Sequence, residues 1–330
     1  MKAYWYERAG AALDVITFGD IPDPEPGPGE VRVKIAVSAV NPTDCKRRKL
    51  GRELGKFDRI IPNNDGAGTI DAVGDEVDPD RIGESVWLFG AQANRPFGTA
   101  AEYCVVPQAY ASVLPNHESL TNGACLGVPA VTAHRALYAD GDINGLTVLI
   151  SGGSGRVGRY AVQMAKAAGA TVIATAGSDE KCNHVLSLGA DYVFNYRNND
   201  LVSCVLDITN NVGVDRMVDV AFGVNVAAAP QLIRANGCLA SYSSDRLPKP
   251  EVPFLEFMYK NITIQPFSIY GMPENAKINA FQQIGELLAT RRLSHLIGRT
   301  YAFTDMISAH QAIEKDDLFG VCVVEVPQGC

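Results

Sequence analysis

From residue 147 the chain repeats one unit: a short apolar strand, a turn and a helix. Strand-like stretches stand at 147–152 (TVLISG), 171–177 (TVIATAG), 191–196 (DYVFNY), 215–221 (DRMVDVA) and 237–243 (GCLASYS). Helix-like stretches lie at 157–168, 179–188, 200–209 and 225–234. Short strands that are apolar on both faces need cover on both faces, and a helix after each strand supplies it. The repeat predicts a doubly wound parallel α/β sheet.

Residues before 147 follow another rhythm. Glu30–Val40 (EVRVKIAVSAV) alternates apolar and polar residues like a half-buried strand. ESVWLFG and TAAEYCVVP read as further short strands, and the turns around them are dense in proline, glycine and asparagine (IPDPEPGPGE, NNDGAG, VGDEVDPD). This part predicts a compact β barrel or sandwich. After ITIQPFSIY (262–270) come helices near 276–291 and 304–315 and a last strand at 320–326. That tail is too short for a third domain and is expected to pack back onto one of the other two.

The first turn of the repeat carries the strongest chemical signal. Gly153, Gly155 and Gly158 form G-x-G-x-x-G directly after a strand and at the opening of a helix. In that setting the first glycine permits the tight turn and the second lets backbone N–H groups approach a pyrophosphate. The third lets helix and strand pack closely. The helix N-terminus adds partial positive charge. Gly153, Ser154, Gly155, Arg156, Val157 and Gly158 are therefore candidate dinucleotide contacts. Arg156 is placed to pair with a cofactor phosphate, and Arg159 reads as a surface charge. An NAD site usually carries an acid at the end of the second strand. Here that strand ends in Ala176 and Gly177, followed by Ser178, with Lys181 close behind and Tyr196 ending the third strand. A hydroxyl and a lysine suit a 2′-phosphate, while Asp179 and Glu180 suit the start of the next helix. The expected cofactor is NADPH, held at this edge by Gly177, Ser178, Lys181 and Tyr196, with Ala221 at the end of the fourth strand.

Composition narrows the partners. A chain of 330 residues is comfortable as two domains, and 47% apolar content is that of a globular protein. A net charge of −8 disfavours nucleic acid and anionic lipid. The basic run Lys46–Lys49 (KRRK) and the pair Arg291–Arg292 read as solvated faces. Neither a signal peptide nor a membrane span is expected. The cysteines (Cys45, Cys104, Cys125, Cys182, Cys204, Cys238, Cys322 and Cys330) are scattered and lack a C-x-x-C pair. That usage fits a reducing cytoplasm better than a disulfide framework. The histidines show no paired metal spacing.

Several segments, in the same order, resemble the zeta-crystallin/quinone oxidoreductase branch of the medium-chain dehydrogenase/reductase superfamily. They are GTIDAVGDEV (68–77), GVPAVTAHRAL (127–137), SGGSGRVG, ATAGSDEK and GADYVFNYR. The resemblance implies a Rossmann NADP(H)-binding domain at 126–267. It implies a GroES-like (chaperonin-10-like) β-barrel catalytic domain at 1–125 and 268–330, with the cofactor in the cleft between them. Homodimers or homotetramers are common in such families, often joined along the edge strand that matches 262–270. Asn41 and Thr132 match positions that contact the nicotinamide end, and Ser241, Tyr242 and Ser243 would pass it. The segment Asn41–Gly51 would line the cleft. Lys46 replaces a tyrosine frequent in the branch and resembles the N-P-x-D-x-K pattern of plant-type alkenal and enone reductases. Two readings stand for Lys46: a hydrogen-bond donor to a cofactor ribose or a forming enolate, or a solvated lysine. Asp44 orients Asn41 or Lys46, or simply caps a short helix. The catalytic candidates are Asn41, Asp44 and Lys46. One departure is Val321 after Gly320, where the family often has a lysine.

The same resemblance bears on metal. Zinc-dependent members carry a Cys, a His-Glu pair and a later Cys or Asp; the corresponding positions are Asn41, Asn64–Asp65 and about Val128. The amide and apolar replacements are not normal zinc ligands, and no metal is expected. Without a Lewis acid an unactivated alcohol is a poor substrate. Quinones and α,β-unsaturated carbonyls accept hydride at carbon because the developing charge spreads to oxygen. The expected activity is NADPH-dependent, zinc-free reduction of a small-molecule quinone or enone. The alternatives are an alcohol dehydrogenase with a displaced metal site and a non-enzymatic, crystallin-like NADPH-binding protein.

Overall fold

A computed structural model describes residues 1–315 and 318–328. The chain opens with an antiparallel pair, β1 (Lys2–Trp5) and β2 (Thr17–Asp20). Then come β3 (Glu30–Val40), helix α1 (Pro42–Leu50), β4 (Asp65–Val73), β5 (Ser85–Leu88), β6 (Tyr103–Pro107) and β7 (Ala111–Val113). Helix α2 (Gly127–Tyr138) precedes the repeat. The repeat runs β8 (Thr147–Ile150), α3 (Arg156–Ala167), β9 (Thr171–Ala176), α4 (Asp179–Ser187), β10 (Tyr192–Asn195), α5 (Leu201–Ile208), β11 (Val214–Asp219), β12 (Ile233–Ser241) and β13 (Thr263–Pro266). Helix α6 (Glu274–Ala289), β14 (Ile297–Ala302), α7 (Met306–Lys315) and β15 (Val321–Glu325) complete the chain.

Two compact units form. One comprises Met1–Val128, Phe281–Ala289 and the described residues from His295 onward; the other comprises Pro129–Ala280 and Thr290–Ser294. In the first, the sheet runs β14-β15-β3-β4-β5-β7, with β6 pairing β3 off this path. Strand β3 organises it. Val31, Val33 and Ile35 alternate inward and are fully buried, as the sequence pattern predicts, against Ile60, Ile61, Leu88, Val106 and Met306.

The second unit is a six-stranded, all-parallel sheet in the order β10-β9-β8-β11-β12-β13. This is the doubly wound order, with its switch point between β8 and β11, where ligands of such sheets bind beyond the strands' carboxyl ends. The predicted α/β sheet is present. The helix predicted at 225–234 is not: two single turns, Phe222–Asn225 and Ala229–Leu232, lead directly into β12. Pro230 opens only a short turn, and Ile233 pairs with Val214 in the sheet. Among the described residues no helix is long and apolar enough to cross a membrane.

Candidate active site

The glycine turn sits at the carboxyl end of β8. Gly152, not Gly153, takes the left-handed conformation, with φ of +68°. The tight-turn role expected of Gly153 therefore belongs to its predecessor. A Cβ on Gly153 would lie 3.0 Å from the Ala174 Cβ and 3.1 Å from the Val185 side chain, so its bareness serves packing against β9 and α4. Gly155 is the N-cap of α3. A Cβ on Gly158 would lie 2.2 Å from the Gly152 carbonyl oxygen, so only glycine lets α3 start this close to the turn. The Gly152 and Gly153 N–H groups donate to Thr175 Oγ1 (3.1 Å) and Thr175 O (2.8 Å), pinning the turn to β9. No acid occupies the first turn of α3. The bare backbone, the close helix start and the absence of negative charge fit a dinucleotide pyrophosphate.

Beyond β9 the structure gathers Gly177, Ser178 and Tyr196. A Cβ on Gly177 would meet Tyr196 Oη at 2.7 Å. Ser178 caps α4, its Oγ accepting the Lys181 N–H at 3.3 Å. Asp179 accepts a 2.7 Å hydrogen bond from Asn195 Nδ2, so this acid is tied to the end of β10. Lys181 and Tyr196 are exposed. Ala221 precedes the Phe222–Asn225 turn, and the Tyr242 ring lies 6.2 Å from that of Phe267. Ser243 Oγ donates to Asp245 at 3.0 Å. Thr132 is buried within α2.

Sequence reasoning missed Asp219 at the end of β11. It is fully buried and accepts from Ser151 Oγ (2.8 Å), Asn225 Nδ2 (2.6 Å) and Ser241 Oγ (3.3 Å). One carboxylate thus ties together the ends of β8, β11 and β12. The visible signal was an acid directly after the apolar pair Met217–Val218 at the strand's end. Arg159 also departs from expectation. It is 2% exposed rather than a surface charge, and together with burial it lowers the pKa of His184.

In the first unit, Asn41 is held at both ends. Its backbone N–H donates to Asp44 Oδ2 and its Nδ2 donates to Asp65 Oδ2, each at 2.7 Å. Asp44 Oδ1 accepts from Asn64 Nδ2 at 2.6 Å, and both Asp65 oxygens face the Val128 N–H at 2.8 Å. Asn41, Asp44, Asn64 and Asp65 are all at most 2% exposed. Burial pushes the Asp44 carboxyl up to about 6. Burial, with Asp44 nearby, raises Asp65 well above the ordinary carboxylate range. Asp44 therefore closes the capping box at the start of α1. Lys46 is exposed on the same helix.

The basic run is not a solvated face throughout. Arg47 and Arg48 are buried while Lys46 and Lys49 are exposed. Arg47 Nε donates to Gln92 at 3.1 Å and its guanidinium pairs with Glu53. Arg48 bonds the Gly10 carbonyl and Glu314. Cys45 is a packed thiol, 3.5 Å from His310 Nδ1 and pushed up to about 12 by burial. The seven described cysteines are free, and Cys330 lies outside the described residues.

The positions compared with zinc ligands do not suit a metal. The Asn41 NH2 group and the Asp65 carboxyl engage each other, and Val128 contributes a backbone donor. Among the described residues no group of three or more His, Cys, Asp or Glu could hold an ion.

Comparison with known proteins places this architecture. The alcohol dehydrogenase GroES-like domain matches residues 27–116, and the zinc-binding dehydrogenase domain matches residues 157–290. A solved structure described as an NAD-dependent alcohol dehydrogenase superposes with a TM-score of 0.88 at 26% identity, over 99% of this chain and 100% of that one. The fold is that of the medium-chain dehydrogenase/reductases, with a GroES-like domain and a Rossmann-like sheet. A quinone oxidoreductase of Homo sapiens is 31% identical over 299 residues, covering 89% of this chain and 88% of the relative. A 2-methylene-furan-3-one reductase of Solanum lycopersicum is 32% identical over 208 residues, covering 59% of this chain and 52% of that one. The chain belongs to the quinone oxidoreductase family of this superfamily.

Proposed function

We propose that the protein is an NADPH-dependent, zinc-free reductase that delivers hydride to quinones or α,β-unsaturated carbonyl compounds. The observation that carries this reading is the closed hydrogen-bond group of Asn41, Asp65 and Val128 at the positions compared with zinc ligands. A site built this way orients a substrate but does not polarise a plain carbonyl, so the acceptor must already be electron-poor. The names of the human and tomato relatives point to acceptors of that kind.

Nicotinamide, when bound, supplies the hydride. The chain's own residues do the rest. The glycine turn receives the pyrophosphate on Gly155, Arg156 and the first turn of α3. Ser178, Lys181 and Tyr196 receive the 2′-phosphate; the engagement of Asp179 by Asn195 supports NADPH over NADH. Asn41 and Thr132 orient the nicotinamide end, and Asp44 holds Asn41 in place. Lys46 offers its ammonium to the oxygen on which charge develops. Assembly as a homodimer or homotetramer along the edge strand β13, in the cytoplasm, completes the reading.

The test is direct. Purified protein is given NADPH with a panel of quinones and a panel of enals, and NADPH absorbance is followed. Turnover with either panel is expected, and failure with both sinks the reading. Stoichiometric zinc by mass spectrometry would instead favour an alcohol dehydrogenase with a displaced metal site.

A further inference from the structure

We propose that Asp65 is the positioning residue for Asn41, an anchor that fixes the rotamer and the flip of the Asn41 side-chain amide. The inference rests on the reading that Asn41 orients the nicotinamide end.

Three features of the structure support it. The contact is short and dry: Asn41 Nδ2 meets Asp65 Oδ2 at 2.7 Å, with the two residues 2% and 1% exposed. Both Asp65 oxygens accept, from the Val128 N–H and, at Oδ2, from Asn41 Nδ2, whereas an amide has a donor end and an acceptor end. Asp65 therefore takes the NH2 end of Asn41 and leaves the carbonyl end to face elsewhere. The carboxylate itself cannot turn away, because the Val128 N–H holds both of its oxygens at 2.8 Å. Space has been cleared for it as well. A Cβ on Gly127 would lie 2.0 Å from Asp65 Oδ1.

Stability alone does not explain this arrangement. Burying an acid is costly, and Asp44 adds a second one nearby. A neutral side chain would satisfy the Val128 N–H at lower cost. What the two acids provide together is a clamp on one residue: Asp44 takes the Asn41 backbone N–H and Asp65 takes its side chain. Such over-determination is what a reacting group requires of its support.

A double-mutant cycle tests it. Asp65→Asn and Asn41→Ala are each expected to lower kcat/KM for a quinone by about tenfold, and the double variant by no more than the larger single loss. If Asp65→Asn exacts its full loss again in the Asn41→Ala background, Asp65 acts through the fold and the proposal fails. A second readout needs no turnover. The Asn41 side-chain NH2 resonance, assigned by its loss in Asn41→Ala, is expected to move in Asp65→Asn; an unmoved resonance also overturns the proposal. If the wild type reduces neither panel, the reductase reading falls while this resonance still reports on Asp65. Should Asp65→Asn fail to fold, Gly127→Ala displaces the carboxylate and must shift the same resonance.

Discussion

Gly158→Ala sets two effects of opposite sign against each other. Gly158 lies in the first turn of α3, where alanine is favoured over glycine by about 1 kcal/mol when nothing obstructs it. Here the new Cβ would stand 2.2 Å from the Gly152 carbonyl oxygen and 2.9 Å from both the Gly152 carbonyl carbon and the Gly153 Cα. All three are backbone atoms, so no rotamer change relieves the overlap. Gly152 is itself fixed in the left-handed region at the end of a buried strand. Overpacking costs about 1–3 kcal/mol, and an obstacle made of backbone puts this site at the upper end. The net expectation is a loss of about 2 kcal/mol in urea unfolding. Displacing the first turn of α3 also moves the N–H groups proposed to receive the pyrophosphate, so NADPH affinity measured by fluorescence titration is expected to fall about tenfold or more. A variant as stable as the wild type, or about 1 kcal/mol more stable, with unchanged affinity would refute the packing argument.

Three further outcomes follow from the same geometry. Folded Asp44 keeps its proton up to about pH 6, above its ordinary 3.8, so its stabilising contribution is full in acid and is lost as pH rises through 6. The stability of wild type relative to Asp44→Asn should therefore fall by about 3 kcal/mol between about pH 4 and pH 7; a pH-independent difference contradicts the burial argument. Arg156→Gly should weaken NADPH and NADH alike by about tenfold, because the pyrophosphate is common to both, whereas unchanged affinities would mean that Arg156 makes no contact with it. Arg48→Ala should cost about 3 kcal/mol in thermal or urea unfolding, and Lys49→Ala less than about 0.5 kcal/mol; similar losses would restore the view of KRRK as one solvated face.

Periodicity and turn chemistry made most of the fold legible. The strand–helix repeat predicted the parallel sheet because buried strands and covering helices leave a local pattern. It failed at 225–234, where an apolar, alanine-rich run looks helical but Ile233 is claimed by pairing with β11. Strand β14 was missed because its residues are mostly exposed and show no alternation. Within the glycine turn the strand–turn–helix setting was readable, but the division of labour among the glycines was not, since it depends on φ at Gly152 and on Val185 packing over Gly153. The burial of Arg48 depends on Glu314, far away in the chain, so no local signal marks it. Asp65 was passed over for the same reason. Its partners Asn41 and Val128 lie on separate elements, so no local pattern links the acid to them.

The proposed hydride delivery from NADPH to an electron-poor acceptor without zinc is tested by NADPH consumption with protein that has been stripped with a chelator and shown by mass spectrometry to hold no zinc. Quinones and enones serve as acceptors, and a simple alcohol with NADP+ serves as the reverse control. Quinone or enone reduction is expected to persist at the rate of untreated protein, with no oxidation of the alcohol. Reduction that disappears with the metal and returns when zinc is added would contradict it.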